Sequence, residues 1–312
     1  HHDRSVNMMS DAETLSFILK NVKEKPEVNH ININTTKTQQ ASINIFLNNI
    51  NMLHVPHAKY NILIPSQHYF HKNWIEMCQC MDLIICKTKY CYDIFSEFIS
   101  EDKLYFSGWR STCRYHPSVD KDRTDFLCFY TDPLTNNIQK IIDIWKLDYP
   151  VLNIVFSGVQ NKNLNRINIP NINYIEDINP EKFEQLFNKC MVHFCLDETD
   201  CFNHNVNQCQ LVGSVPVVVS KGPVMEVADP ENCFMVSSTR KRYREGLGSF
   251  YKYTKEDLED VVKKILNTSD TTLEIMGRNC KLFSDKKQNI FVDTFKKKMK
   301  TIFEITKQTN FN

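Results

Sequence analysis

Short apolar runs alternate with amphipathic segments along most of the chain. In the first third, the apolar runs 61–64 and 82–86 flank an amphipathic segment at about 71–79, and a helix at 89–98 and a short strand at 103–106 follow. The runs are continuous rather than alternating with polar residues, which is typical of parallel strands covered on both faces. The pattern predicts a first α/β unit.

A second series of the same kind begins after the polar, proline-containing segment 116–123, where we place a linker. The predicted strands are 126–130, 151–156, 172–175, 191–195 and 215–219. The predicted helices are 136–145, 180–189, 204–211 and 255–266.

From Gln288 onward the sequence predicts one basic amphipathic helix. Its apolar positions Phe291, Phe295, Met299 and Phe303 have helical spacing, so we interpret it as a packing helix with a solvated lysine face. Two α/β units in one chain predict two Rossmann-like domains that face a ligand cleft, with this last helix crossing back to the first domain. The expected boundaries are 1–121, 122–287 and 288–312.

Charge and hydropathy exclude several classes of function. The chain has 38 Lys and Arg against 37 Asp and Glu, so it has no net field that would draw it onto nucleic acid or an anionic membrane. No apolar run approaches the roughly 18 residues of a membrane-spanning helix, and no apolar signal core is found near the start. We therefore expect a cytoplasmic protein with no membrane span and no nucleic-acid partner.

Glycine and cysteine usage narrow the chemistry further. None of the 7 glycines lies in a dinucleotide-binding fingerprint or a P-loop, which argues against nicotinamide dehydrogenases and P-loop enzymes. We interpret the 12 cysteines as reduced thiols, and Cys86, inside an apolar run, as a buried strand thiol rather than a zinc ligand. We predict no metal site and no bound cofactor.

The most informative segment is 193–227. An apolar strand ends near Leu196, a polar loop follows, and a helix begins near His204, so the backbone N–H groups of the first helical turn predict a diphosphate site. Gly213 permits a tight turn from this helix into the buried strand 215–219.

This segment resembles the sugar-nucleotide-binding segment of GT-B glycosyltransferases, in particular the large retaining group with an E-x7-E motif. That family reads approximately P-S-x-x-E-G-F-G, a helix, A-x-x-x-G-x-P-V-V and a later Glu. Here G-S-V-P-V-V is present from Gly213, and Glu226 takes the later acidic position. Alignment on Phe202 places Asp200 at the first acidic position and Gln208 at the second.

The resemblance implies roles for these residues, with departures at three of them. It places Asp200 beside the transferred sugar and gives Gln208 the hydrogen bond to the ribose, although the family has Glu at both positions. Asn203 replaces the usual Gly, and we expect Asn to tolerate a left-handed backbone there. The first helical turn, with His204 and Asn205, faces the diphosphate.

A looser resemblance covers the remainder of the chain. The runs 61–70 and 81–90 look like the acceptor-side domain of a subgroup found in bacteria and large DNA viruses, in which a Glu precedes an aromatic pair and His68 stands in its place. Residues before Ser10 lack the apolar run with which the family begins its fold. The loop 130–136 occupies the position of a phosphate-binding lysine loop and has no cation. Tyr174 is in position to stack on the nucleobase.

Several cations are candidates for the phosphate groups. Lys87 ends a predicted strand, where it either neutralises phosphate or caps a loop. Arg110 lies near the predicted hinge, and the basic segment 239–244 is either a solvated loop or a cover over an anionic ligand. The candidate catalytic residues are Asp200 and His68. The candidate donor-binding residues are Phe202, Asn203, His204, Asn205, Gln208, Tyr174, Glu226, Lys87 and Arg110.

Three functions remain open. The first is metal-independent transfer of a sugar, with retention, from a nucleoside diphosphate sugar, most simply a UDP-sugar, to a glycan, protein or small-molecule acceptor. The second is a catalytically degraded GT-B module that binds a sugar nucleotide, glycan or protein partner without turnover. The third is a periplasmic-binding-like protein or sugar-phosphate enzyme with the same two-domain plan.

Overall fold

The structure is a computed structural model that describes residues 6–32, 34–112, 115–130, 138–156, 164–176 and 178–308. The chain forms two compact units. The first contains the described residues up to Thr112, together with Tyr243–Gly248 and the residues from Lys287 onward, and the second contains the rest.

The first unit is built on a four-stranded parallel sheet with strand order β1-β2-β3-β4. Its strands and helices are α1 (Val6–Lys20), β1 (Ala41–Leu47), β2 (Ala58–Ile64), β3 (Leu83–Cys86), α2 (Lys89–Phe95) and β4 (Leu104–Phe106). Short 3-10 turns lie at Val55–His57, Lys72–Trp74, Glu76–Cys80 and Glu101–Lys103. Every residue of β3 is buried, as its continuous apolar run predicts.

The C-terminal part of the last helix packs within the first unit. This helix, α8 (Asp270–Gln308), passes from the second unit into the first after Lys286. The Trp109 ring lies 5.2 Å from the Phe291 ring and 5.6 Å from the Phe295 ring, and all three side chains are buried. The predicted apolar stripe is therefore a packing face, because its aromatic residues bury large apolar areas.

The second unit has a six-stranded parallel sheet with strand order β10-β9-β8-β5-β6-β7. Its strands are β5 (Asp122–Tyr130), β6 (Val151–Phe156), β7 (Ile172–Ile175), β8 (Cys190–Cys195), β9 (Val215–Val219) and β10 (Phe234–Val236). Its helices are α3 (Gln139–Ile144), α4 (Pro180–Lys189), α5 (His204–Leu211), α6 (Gly222–Val227), α7 (Lys255–Leu266) and the first part of α8. An antiparallel hairpin of β11 (Thr239–Arg242) and β12 (Ser249–Lys252) completes it.

Two glycines permit close packing between the α5–β9 turn and α8. Gly213 has a φ of +75°, and its N–H and that of Ser214 donate to the carbonyls of Gln210 and Cys209, which forms a Schellman turn at the end of α5. A Cβ built on Gly277 of α8 would lie 2.3 Å from the Gly213 carbonyl oxygen. Glycine is therefore required at both positions, at Gly213 by the backbone angle and at Gly277 by the close approach.

The structure corrects several sequence-based element boundaries. The C-terminal helix begins at Asp270 rather than near Gln288, and the predicted linker includes Asp122 and Arg123, which are the first residues of β5. The amphipathic segment at 71–79 forms 3-10 turns rather than an α-helix. Strand β1 was not predicted, because most of its residues are only half-buried and it lacks a continuous apolar run.

Candidate functional site

The strand order of the second unit places the candidate site at the carboxyl ends of β5 and β8. The chain passes from β5 to β6 and β7 on one side, and then returns to β8, β9 and β10 on the other side of β5. Ligands of open parallel sheets bind in the crevice at such a reversal. The loop after β5, at 131–137, lies outside the described residues. The described part of the candidate site consists of the loop after β8 and its neighbours.

The loop between β8 and α5 is held firmly against β12. The Tyr251 N–H donates to the Glu198 carbonyl at 2.7 Å, and the Asp200 N–H donates to the Ser249 carbonyl at 3.2 Å. Between them, Thr199 forms an antiparallel bridge with Phe250. The loop is therefore a short pleated segment with fixed backbone geometry, which suits a binding site.

Glu198 is a buried carboxylate that is neutralised by two lysines. Its side chain is 2% exposed, accepts from the Lys140 Nζ at 2.7 Å through Oε1, and is ion-paired with Lys252 through Oε2. Lys140 also donates to the Tyr253 carbonyl at 2.7 Å and lies 3.9 Å from the centre of the Tyr253 ring. These two ion pairs allow the Glu198 carboxylate to be buried, and they give it a structural role in this loop.

Asp200 is fully buried at the same loop. Its Oδ2 accepts from the Ser249 N–H at 2.7 Å, while its own N–H donates to the Ser249 carbonyl. The Ser249 hydroxyl in turn accepts from the Arg240 Nε at 3.0 Å. The carboxylate therefore anchors β12, and the otherwise exposed basic strand β11 contributes one guanidinium next to this anchor.

The start of α5 is shaped by Asn203 and by two aromatic rings. Asn203 is the N-cap, with φ −88° and ψ 97°, and its side-chain oxygen accepts from the Val206 N–H at 3.3 Å. The backbone of Asn203 is extended, as is usual for an N-cap, so the tolerance of Asn for a left-handed backbone is not used here. The Phe202 ring stands edge-on to the His204 ring, with centroids 4.9 Å apart and both side chains buried, while Asn205 is half-buried.

Gln208 carries an unsatisfied buried donor. Its side chain is 5% exposed, and its Nε2 has no hydrogen-bond partner in the part of the chain that the structure describes. One turn of α5 separates it from the helix start. The neighbouring Gln210, by contrast, donates to the Val227 carbonyl at 2.9 Å and accepts from the Asp229 N–H at 2.7 Å. Since an unmade buried hydrogen bond is costly, the Gln208 amide is suited to a ligand.

A buried lysine that the sequence analysis did not single out lies at the same edge. Lys221 follows β9 and is 3% exposed. Its Nζ donates to the Asp197 carbonyl at 2.7 Å and to the Thr199 carbonyl. The position of Lys221 just past the end of a buried parallel strand was the available signal, because side chains at such strand ends line the crevice.

Tyr174 and Glu226 lie farther along the sheet and on a different helix. Tyr174 is on β7, three strands from β8 and so about 14 Å away across the sheet. Its hydroxyl exchanges hydrogen bonds with the backbone N–H and carbonyl of Ile167, and its ring stacks on Phe156. Burial raises its pKa. Glu226 is half-buried on α6, the helix that follows β9.

The remaining candidates, His68, Lys87 and Arg110, belong to the first unit. The His68 ring is buried, stacks on Tyr243 at 5.8 Å and meets Tyr69 edge-on. The Lys87 Nζ is 2.6 Å from the Asp11 Oδ2, and both side chains are buried. Arg110 is 6% exposed, and its Nη1 donates to the Trp109 carbonyl at 3.2 Å. Lys87 thus forms a buried ion pair within this unit.

The described thiols and acidic groups can be compared with the arrangement that a metal site needs. In the described part of the chain, no three His, Cys, Asp or Glu side chains are grouped so that they could hold a metal ion. Cys86 lies buried in β3, and its hydrogen bond with Cys91, together with burial, raises its pKa well above the usual value. Burial raises the pKa of Cys128 in β5 to about 12. These thiols are neutral packing groups.

Comparisons with known proteins define the fold. No protein-family model matches the sequence, and no curated protein does. Among solved structures, the chain is similar to Anabaena HepE in complex with UDP-glucose, with a TM-score of 0.55 and 11% identity over 80% of this chain and 72% of HepE. It is also similar to trehalose-6-phosphate from E. coli bound with UDP-2-fluoro glucose, with a TM-score of 0.58 and 9% identity over 87% of this chain and 74% of that one.

TarM is a third similar structure, with a TM-score of 0.53 and 13% identity over 75% of this chain and 50% of TarM. The chain thus spans half the length of TarM. The similar structures are GT-B glycosyltransferases, and the predicted fold class, α/β with two Rossmann-like domains, is confirmed. No helix of the described residues combines the length and apolarity required to cross a membrane.

Proposed function

We propose that the protein is a glycosyltransferase that takes its sugar from a nucleoside diphosphate sugar, with UDP as the carrier. The observation that carries this proposal is the unsatisfied Gln208 amide, buried one turn into α5 at the strand reversal of a GT-B fold. A ribose hydroxyl would accept from the Gln208 Nε2, which supplies the missing hydrogen bond. Two of the similar structures hold UDP-glucose or UDP-2-fluoro glucose, which supports the choice of ligand.

The proposed reaction breaks the bond between the anomeric carbon and the diphosphate oxygen and forms a bond from that carbon to an acceptor hydroxyl oxygen, with retention. The acceptor O–H bond breaks in the same reaction, and its proton passes to the departing diphosphate. Negative charge develops on the leaving diphosphate. The positive end of the α5 dipole and its first-turn N–H groups would stabilise that charge, and we propose that no metal ion is required. We place Asp200 beside the sugar and His68 on the acceptor side, whether the acceptor is a glycan, a protein or a small molecule.

A matched pair of glutamines tests the donor site. Gln208→Ala should weaken UDP binding by about 1 kcal/mol, roughly fivefold, and should cost little stability because its Nε2 has no partner in the described chain. Gln210→Ala should lower the stability of the fold and leave the UDP affinity unchanged, because both side-chain hydrogen bonds of Gln210 are internal. Calorimetric titration and urea unfolding measure both effects. Unchanged UDP affinity in Gln208→Ala would remove Gln208 from the donor site.

One observation favours a second function, binding without turnover. The Asp200 carboxylate is fully buried and accepts from the Ser249 N–H, so it already has a structural role. UDP released from UDP-sugars by wild type and by Asp200→Asn, which keeps the side-chain shape and an acceptor oxygen, distinguishes the two functions. If wild type releases UDP and Asp200→Asn does not, the result supports the transferase function. Nucleotide binding with no release from any UDP-, GDP-, dTDP- or CMP-sugar supports the binding module.

A further inference from the structure

Lys221 is a buried cation that has only neutral partners. Its side chain is 3% exposed, and its Nζ donates to two backbone carbonyls, those of Asp197 and Thr199. Among the described residues, no carboxylate lies within ion-pair distance of Lys221. A buried ammonium is costly unless an anion accompanies it, so an anionic ligand at this position would be stabilised by Lys221.

Other lysines near buried carboxylates show how the chain ordinarily treats such charges. Lys140 and Lys252 share the carboxylate of Glu198, and Lys87 is paired with Asp11. Lys221 differs from all three, although its Nζ contacts the backbone on either side of Glu198. Its carbonyl partners orient the ammonium without neutralising it.

The position of Lys221 matches that of the proposed diphosphate. The carbonyls it contacts belong to the loop that joins β8 to α5, and Thr199 directly precedes Asp200. Strands β8 and β9 are adjacent and parallel, so Lys221, just after β9, and the loop after β8 lie at the same edge of the sheet. The first turn of α5 begins at that loop, and the unsatisfied Gln208 amide is one turn farther.

We propose that Lys221 is the cation that binds the diphosphate of the sugar nucleotide. This inference rests on the proposed function. An ammonium has three N–H donors, of which the two carbonyls take two, so one is left for a phosphate oxygen. Lys221 would then supply a positive charge at the diphosphate, which the sequence 131–136 lacks.

The test compares ligands with and without phosphate. UDP and uridine are titrated calorimetrically into wild type, Lys221→Met and the control Lys252→Met, whose lysine is half-exposed and paired with Glu198. Lys221→Met should bind UDP about tenfold or more weakly and uridine equally well, since hydrogen bonds to charged groups are the stronger ones. Lys252→Met should keep the wild-type ratio of the two affinities. Lys221→Arg should retain most of the UDP affinity.

The outcomes separate this inference from the proposed function. Suppose that wild type binds both UDP and uridine, and that the ratio of the two affinities is the same in Lys221→Met. This result would overturn the role of Lys221 but not the proposed function. Wild type that binds no nucleotide overturns both. If Lys221→Met does not fold, Lys221→Gln takes its place, since Gln keeps two N–H donors but carries no charge. The same ratio in Lys221→Gln as in wild type would then decide against Lys221.

Discussion

The two parallel sheets of this protein are built alike but differ in strand order. In the first unit, the described strands follow the sequence, β1-β2-β3-β4, with no reversal. In the second unit the order reverses between β5 and β8. Only a reversal opens a crevice at the carboxyl ends of the strands, because the connections on either side of it lead away from each other.

In each sheet a buried lysine follows one strand, and the two lysines differ in the charge of their partners. Lys87, after β3, forms a buried ion pair with Asp11, whereas Lys221, after β9, has only carbonyl partners among the described residues. A neutralised cation stabilises its own unit, and a cation without an anion is available to a ligand. Burial of a lysine at a strand end therefore does not reveal its role until its partner is known.

The largest expected effect breaks the pair in the first unit. Lys87→Met should lower the free energy of unfolding by about 3–5 kcal/mol, because it removes the cation that neutralises the buried Asp11. Changing Lys87→Met and Asp11→Leu together should recover most of that loss. Urea unfolding followed by circular dichroism measures both. Lys221→Met should cost less stability, since it leaves no buried carboxylate without a partner. An equal loss would show that the two lysines stabilise the fold to the same extent.

A second prediction concerns the packing that holds α5 and β9 of the second sheet. Gly277→Ala places a methyl group 2.3 Å from the Gly213 carbonyl oxygen, so α8 or the turn must shift. We expect a loss of roughly 3 kcal/mol, the upper range for overpacking, despite the better helix propensity of Ala. Arg278→Ala, at the exposed neighbouring position, is the control and should change stability by less than about 0.5 kcal/mol. Equal stability of both variants would show that the contact is loose.

A pH experiment probes the amino edge of the same sheet. Burial lowers the pKa of Lys121 from 10.5 to about 8, and its Nζ donates to the Ser214 hydroxyl at 2.6 Å. Between pH 8 and 10.5 the unfolded chain holds a proton that the folded chain has lost, so this group adds stability as pH rises through that range. Wild type should gain on the order of 2 kcal/mol relative to Lys121→Met. A difference that does not change with pH would contradict the lowered pKa.

The smallest effect is expected at the start of α5. Asn203→Ala removes the side-chain acceptor of the Val206 N–H and should cost about 1 kcal/mol, whereas Asn203→Gly should cost only a few tenths. Thermal unfolding of the two variants gives the comparison. If Asn203→Gly is instead more stable than wild type, a backbone preference rather than the cap governs this position.

Much of the second sheet was predictable from local sequence. The apolar runs located β6, β7 and β9 at their observed bounds, because a strand covered on both faces needs a continuous apolar sequence. Gly213 marked the end of α5 for a backbone reason that depends on no distant residue. Strands β1 and β11 were not predicted, because neither has a continuous buried apolar run. Strand β1 is mostly half-buried, and β11 is exposed and is held by its pairing with β12.

The order of residues was enough to locate most buried strands of the second sheet and the loop that carries Asp200, Asn203 and Gln208, because those features depend on burial and on spacing along the chain. The partners of the charged groups follow from the folded structure alone. Glu198 finds Lys140 and Lys252, which are 58 and 54 residues away in sequence, while Lys87 finds Asp11, 76 residues away. Coulomb interactions depend on distance in space and on burial, and neither follows from the order of residues.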